Sequence, residues 1–368
     1  MRLPERFYRW RNRLLTDAGF RKWAASFPLT RPIARAKARE VFDLCAGFVY
    51  SQVLYTCVAL DILRIVRDAP LDVETLAARI AMPADGTDRL ARAAASLKLL
   101  RRRADGRYGL GERGAALLGA PSVLDMISHH AVLYADLQDP AALLRRRSSE
   151  TQLAEFWRYA RGEGAKALQT GDVAAYSDLM ASTQAFVAEE ILDAYSFRDC
   201  RRLLDVGGGA GAFVRAAGAA APHLHLMVFD LPAVARIAEA RLAEAGFGAR
   251  ASCFGGDFLR DPLPEGADVM TLIRVLHDHD DDAVDVILRA ARKALPQGRP
   301  LLIAEPMAET PGAEAMGEAY FGLYLWAMGA GRPRSSLELK AFLQRAGFPK
   351  VKNVATRQPL LTSLIVAT

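Results

Sequence analysis

LLDVGGGAGAF, residues 203–213, decides the fold: an apolar strand runs into alternate glycines and then into a helix. Gly207, Gly209 and Gly211 stand where a backbone must turn tightly and let a ligand approach with no Cβ in the way. Alone the motif is weak. With Ala212 it also passes as the G-x-G-x-x-A variant of a dinucleotide fingerprint, with Asp230 about 20 residues on for a ribose.

Asp205 tilts the reading. It ends the strand two residues before the first glycine, where a pyrophosphate would meet a like charge and an ammonium or sulfonium group would be welcomed. A cationic nucleoside cofactor, S-adenosylmethionine, suits that pattern better than a nicotinamide dinucleotide. Asp230 then takes its ribose, while Gly256, Asp257 and Phe258, at the end of a later strand, supply an acceptor for the adenine amino group and an aromatic face to stack on it. Each aspartate taken singly also reads as a helix cap or turn.

Working outward, the runs RLLDV, LHLMVFD, ADVMTLIRVL, RPLLIAE, VKNVAT and LLTSLIVAT alternate with helical segments at 212–220, 233–245, 282–295 and 336–346. This alternation predicts an α/β fold with a doubly wound, Rossmann-like parallel sheet over 201–368, its ligands at the C-terminal strand ends. Residues 119–200 read as helical connectors rich in aromatics: His129, His130, Tyr134, Trp157, Tyr159 and Tyr176. Residues 71–118 read as helix, helix and hairpin with an Asp105-Gly106 turn, the outline of a winged helix. The expected division is a helical arm with a winged-helix domain at 1–118 and a catalytic domain at 119–368.

At 368 residues, 51% hydrophobic and 24% charged, the chain is an ordinary globular protein. Its net charge of +6 is local: residues 1–39 hold 11 Lys/Arg against two acids, and the remainder 37 against 40. Arg101, Arg102 and Arg103 would suit phosphates, but the second helix of the winged region offers few side chains able to read bases, so no nucleic-acid partner is expected. Phe7, Trp10, Leu14 and Ala18 fall at helical spacing with arginines between them, a basic amphipathic arm that suits either an anionic membrane surface or a partner subunit. Leu44–Leu60 reads as a buried or subunit-interface helix rather than a span. Cys45, Cys57, Cys200 and Cys253 show no metal-like spacing and read as reduced, mostly buried thiols of a cytoplasmic protein.

In RVLHDHDDD, residues 274–282, His277 ends a buried strand on the ligand side of the sheet. Asp280, Asp281 and Asp282 open the next helix, where capping and the helix dipole account for them without a metal. His277 is then a candidate general base. Phe321, Tyr324, Leu325 and Met328 recur at helical spacing in EAYFGLYLWAMGAG, residues 318–331, as a core stripe or the wall of an apolar substrate channel that also includes Trp157.

Together these motifs resemble the class I S-adenosylmethionine-dependent O-methyltransferases of the caffeate and acetylserotonin type: a winged-helix dimerisation region, DVGGGAG, FDLP, GDF and a histidine in LHDH, where the family has a tryptophan in place of His279. The likeness covers nearly the whole chain. GFVYSQVL, HHAVLY, YSDLMASTQ, TLIRVLHDH and GRPRS are similar to the carotenoid-methylating branch of purple bacteria. The resemblance implies a homodimer and cofactor contacts at Asp205, Gly207, Gly209, Gly211, Asp230, Leu231, Gly256, Asp257, Phe258 and Arg274, with Met180 near the reactive methyl. It implies His277 as base, oriented by Glu305, and the tertiary 1-hydroxyl of an acyclic carotenoid as acceptor; a phenol, polyketide or bacteriochlorophyllide is the alternative. A second acid that plant relatives pair with the histidine is here Pro333.

Methyl transfer is an in-line displacement, so positioning is a main catalytic resource. Complete proton transfer from an alkanol, pKa roughly 15.7, to an ordinary histidine at about 6.5 would cost on the order of 12 kcal/mol; a phenol would cost about 5. An alkanol acceptor therefore requires His277 to take the proton as the new bond forms.

Overall fold

The computed structural model describes residues 5–145, 150–157, 184–359 and 362–368, which form two compact units, residues 1–119 and 120–368. In the first, helices Glu5–Thr16, Ala18–Ser26 and Arg31–Ala59 lead into helices Val73–Ile80 and Ala84–Ser96 and a hairpin of β1 (Leu100–Arg102) and β2 (Tyr108–Leu110). The winged outline is therefore present. The amphipathic arm breaks at Asp17, whose carboxylate caps the second helix through Phe20 N, so Ala18 opens a new helix instead of extending the first.

Helix Arg31–Ala59 is not buried within the chain, which removes the first of the two expected alternatives and leaves the subunit interface, since residues from 42 on carry exposed apolar side chains. Leu44 is 86% exposed and Phe48 73%, and only Cys57 of the helix is buried. By length and composition this helix could cross a membrane. Cys57 and Cys200 are buried, but Cys45 is exposed.

The second unit is built on β3 (Arg202–Val206), β4 (His225–Asp230), β5 (Ala251–Gly255), β6 (Val269–Ile273), β7 (Leu301–Glu305), β8 (Val351–Val354) and β9 (Ser363–Ala367), in the order β5-β4-β3-β6-β7-β9-β8. Strands β6 and β7 are buried along their whole length, as expected at the centre of a covered sheet, and they carry Thr271 and Glu305 into it. Helices Ala212–Ala220, Pro232–Glu244, Asp281–Ala294 and Ser336–Arg345 lie within a residue or so of the predicted segments.

The sheet is not wholly parallel. Strand β9 runs antiparallel to both β7 and β8. Only residues 355–362 separate β8 from β9, too few for the dozen or so residues of a parallel crossover. Strand β5, which no strongly apolar run announces, pairs parallel to β4. From β3 the chain winds outward through β4 and β5, then returns to place β6 on the other side of β3. The C-terminal ends of β3 and β6 thus form the switch point at which such sheets bind ligands.

Candidate active site

At the switch point Gly207, Gly209 and Gly211 all have positive φ, at +69°, +55° and +78°. Gly207 has no room for a side chain: a Cβ there would lie 2.7 Å from Val275 Cγ2 and 3.7 Å from Phe258. The loop, the end of β6 and the predicted adenine-stacking ring therefore meet.

Asp205 lies beneath this loop rather than on its surface. It is 1% exposed, its Oδ1 accepts a 2.6 Å hydrogen bond from Thr271 on β6, and its Oδ2 has no partner. Burial pushes its pKa up to about 7, against the Thr271 hydrogen bond, with the nearby charge of Asp230 adding to the rise. Asp230 ends β4, and its carboxylate accepts from Gly209 N at 2.8 Å and Leu231 N at 2.7 Å. Burial raises it to about 6 despite those two donors. Gly256 N donates to Asp230 O, tying the end of β5 to that of β4. Asp257 is 6% exposed; its Oδ1 accepts from Leu259 N, and Arg260 lies 3.6 Å from Oδ2. Phe258 meets His279 edge-on with ring centroids 5.3 Å apart.

These groups suit a cationic nucleoside. The cradle excludes a Cβ at Gly207, an acid with an unpaired oxygen sits under it, and a second acid at the next strand end keeps a partly exposed face. Among the described residues, no group of three His, Cys, Asp or Glu side chains is placed to hold a metal ion.

His277 sits on a short 3-10 turn, Leu276–Asp278, just beyond β6. It is 5% exposed and lies between two acids: Nε2 is 3.0 Å from Asp278 Oδ1, and Nδ1 is 3.5 Å from Glu305 Oε2, long for a hydrogen bond. Glu305 is wholly buried; its Oε2 accepts from His277 N at 3.2 Å, while Oε1 has no partner. Burial works against a charged imidazole, but Asp278 and Glu305 outweigh it and raise His277 to about 9. The sequence reading did not single out Asp278. Its only signal was adjacency to the histidine.

Of the three aspartates behind this turn, Asp281 and Asp282 lie in the first turn of their helix as expected, but Asp280 does not cap it through its side chain. Asp280 is the N-cap residue, yet its side chain makes no cap hydrogen bond; Oδ1 accepts instead from Gly331 N. Asp281 is held by Arg332 and Arg334. Thus GRPRS, residues 331–335, forms the back of the histidine turn. Arg334, 0% exposed, donates to Leu276 O and His279 O, and Arg332 N donates to His277 O. Gly331 allows this approach: with φ +78°, a Cβ would fall 2.0 Å from His277 O.

Facing His277 is a small cavity, about 20 Å³, room for one water, lined by Met126, Trp157, Arg274, Tyr320, Phe321 and Tyr324 among others. Its helical wall begins with a π-turn, Ala315–Phe321, before the α-helix Gly322–Met328. The wider turn was not legible from the spacing; the Phe321 ring lies 6.0 Å from that of His277. Tyr324 OH accepts from Trp157 Nε1 at 2.9 Å and bonds His129 Nε2 at 2.8 Å; Tyr320 OH bonds His130 at 2.7 Å. These hydroxyls are spent within the wall, which leaves mainly aromatic faces. Met328 packs in the core cluster with Leu133 and Leu153 and is not among the cavity's lining residues. Arg274 lines the cavity with φ +57°, a left-handed backbone uncommon for a side-chain-bearing residue. Met180, Tyr159 and Tyr176 lie outside the described residues.

Comparison with known proteins agrees with this architecture. Residues 134–349 match an O-methyltransferase domain, and residues 42–120 an O-methyltransferase dimerisation domain. The chain is 42% identical over 355 residues to the demethylspheroidene O-methyltransferase of Cereibacter sphaeroides, spanning 96% of this chain and 93% of that one. It is 31% identical over 342 residues to the acetylserotonin O-methyltransferase of Mus musculus, with 87% and 86% covered. The crystal structure of LaPhzM superposes with a TM-score of 0.73 at 28% identity, covering 90% of this chain and 98% of that one. With its glycine cradle, buried histidine and dimerisation domain, the chain belongs to the S-adenosylmethionine-dependent O-methyltransferases.

Proposed function

We propose that the protein transfers a methyl group to the tertiary hydroxyl of an acyclic carotenoid of the demethylspheroidene or hydroxyneurosporene type, with His277 as general base. The observation that carries this reading is a buried imidazole, bracketed by two carboxylates at the sheet's switch point, opening on an aromatic-walled cavity. The relative of that name, at 42% identity over almost the whole chain, supports the acceptor class.

When bound, S-adenosylmethionine supplies an electrophilic methyl group on a sulfonium. The loop at Gly207, Gly209 and Gly211, with Asp230, Leu231, Gly256, Asp257, Phe258 and Arg274, would hold it, and Asp205 would keep the cradle negative from beneath. Trp157, Phe321 and Tyr324 would orient the acceptor and keep water away. His277 takes the hydroxyl proton, and Glu305 accepts from its backbone N–H and keeps a carboxylate oxygen 3.5 Å from Nδ1. With the imidazole raised to about 9, complete proton transfer from an alkanol would cost on the order of 9 kcal/mol instead of 12. The acids thus strengthen the base only in the fraction of enzyme whose ring is neutral, so turnover should rise with pH toward about 9.

The experiment is labelled methyl transfer into a panel of hydroxylated carotenoids and phenols. His277→Ala loses most turnover on a carotenol while S-adenosylhomocysteine affinity by calorimetry stays nearly unchanged; equal loss of both removes His277 as the base.

The working unit is a homodimer, which the dimerisation domain supports. The arm ahead of that domain meets an anionic lipid surface from the cytoplasmic side. Trp10 and Trp23 are 57% and 51% exposed among arginines and a lysine, and a face this basic is poorly suited to pair with its own copy across a two-fold axis. Failure of the intact chain to float with anionic vesicles would end this part of the reading.

A further inference from the structure

Asp278 lies nearer to His277 than Glu305 does, at 3.0 Å against 3.5 Å, and it addresses the opposite nitrogen. Adjacent residues of a regular helix do not face each other, so the contact is specific to this turn. It is also held in place: Arg334 fastens the carbonyls of Leu276 and His279 on either side, and Arg332 N fastens that of His277.

We propose that Asp278 is a positioning residue of the methyl transfer, holding the imidazole from Nε2 and stabilising the imidazolium that forms when the acceptor's proton arrives. This rests on His277 being the base. The 3.0 Å contact belongs to the ring protonated at Nε2; in the base form the proton stays on Nδ1, toward Glu305, and Nε2 is the nitrogen that accepts from the hydroxyl beside Asp278. As the acceptor's O–H bond breaks, its proton passes to Nε2 and its electron pair forms the new C–O bond. A bound sulfonium donor would take back the electron pair of its S–C bond and leave as a neutral thioether. The charged ring then lies between two carboxylates, which favours the products of the proton transfer.

Among the described residues, the charged and titratable groups around the ring are Asp278 and His279 on its own turn, Arg274 beyond β6, Glu305 at the end of β7, Tyr320 and Tyr324 on the helical wall, and Arg332 and Arg334 behind the turn. Only Asp278 and Glu305 among them are acids. Removing the charge of Asp278 leaves the ring with one.

The test is the ring titration of His277, followed by NMR in the full-length enzyme without cofactor and assigned by its disappearance in His277→Gln. The wild-type ring is expected to titrate well above the ordinary value of about 6.5, and Asp278→Asn to lower it by at least about one pH unit. The acid limb of kcat/KM should move to lower pH by a similar amount, while S-adenosylhomocysteine affinity stays within about twofold. A wild-type ring titrating at or below about 6.5 overturns the proposal, and needs no variant to fold. So does an Asp278→Asn enzyme whose titration and pH profile are unchanged while only its thermal stability falls. The titration requires no turnover, so its outcome is separate from whether His277 is the base, which the His277→Ala assay decides.

Discussion

Arg334 gives the most direct test of how the proposed base, His277, is held. Its guanidinium is 0% exposed, stacks 5.6 Å from the Phe342 ring, and bonds Leu276 O at 2.8 Å, His279 O at 2.7 Å and Asp281 Oδ1 at 2.7 Å. Arg334→Met fills similar volume but leaves two carbonyls without this donor, each worth about 1–3 kcal/mol when buried. His279 O is only partly buried, so it belongs at the low end of that range. Asp281 is half exposed and keeps Arg332, so its loss is small. Part of the cost is offset because methionine has no charge to desolvate. The net expectation is about 3 kcal/mol, or roughly 6–12 °C in the melting of the unit spanning 120–368. Arg334→Lys should fall between, since an ammonium cannot reach three separated acceptors as the planar fork does. The assay is thermal unfolding together with kcat, measured well below the lowered transition. Arg334→Met that melts within about 2 °C of wild type and keeps kcat within about threefold would refute the idea that these carbonyl contacts hold the histidine turn.

Three further outcomes follow from the same geometry. Burial pushes Asp205 up to about 7, and a cationic donor favours its ionised form, so S-adenosylmethionine affinity should rise with pH and level off above about 7; calorimetry should detect proton release near neutrality, and Asp205→Asn should flatten the dependence. His277, raised to about 9, contributes stability that is fully present below its unfolded value near 6.5 and lost as pH rises through about 9, on the order of 3 kcal/mol in all. Urea unfolding of wild type against His277→Gln across that window measures it, and parallel curves would contradict it. Gly331→Ala should cost most of kcat while sparing cofactor affinity, because its methyl would displace the carbonyl of His277 and leave the glycine cradle alone.

Features set by local chain geometry were legible in the sequence, and those set by distant contacts were not. The glycine loop could be read because Gly207 answers a backbone requirement written in adjacent residues. The helix after Asp280 could be read from its apolar face, but the use of Asp280 and Asp281 could not, since their partners stand about fifty positions away in GRPRS. The reversal of β9 follows from the short stretch 355–362, a length constraint that strand-by-strand apolarity ignores. Asp278 was hidden for a different reason: in a helix or strand its carboxylate would point away from the ring, and only the 3-10 turn brings it back to Nε2.

Pro333 sharpens this contrast. A carboxylate at that position would approach the histidine from the GRPRS side, the side now occupied by main-chain contacts from Gly331 and Arg332 and by the Arg334 guanidinium. Proline cannot donate a backbone hydrogen bond and fixes its own φ, which suits a segment whose task is to hold other backbone in place. Support for His277 is thereby divided. The turn is anchored from behind through the carbonyls of Leu276, His277 and His279, while the charge of the ring is balanced from either edge by Glu305 and Asp278. Because these anchors reach residues 276–279 only through their carbonyls, they leave both ring nitrogens to respond to protonation. Variants of Arg334 and Asp278 should therefore fail differently: the first by loosening the turn at every pH, the second by moving the pH at which the ring accepts a proton.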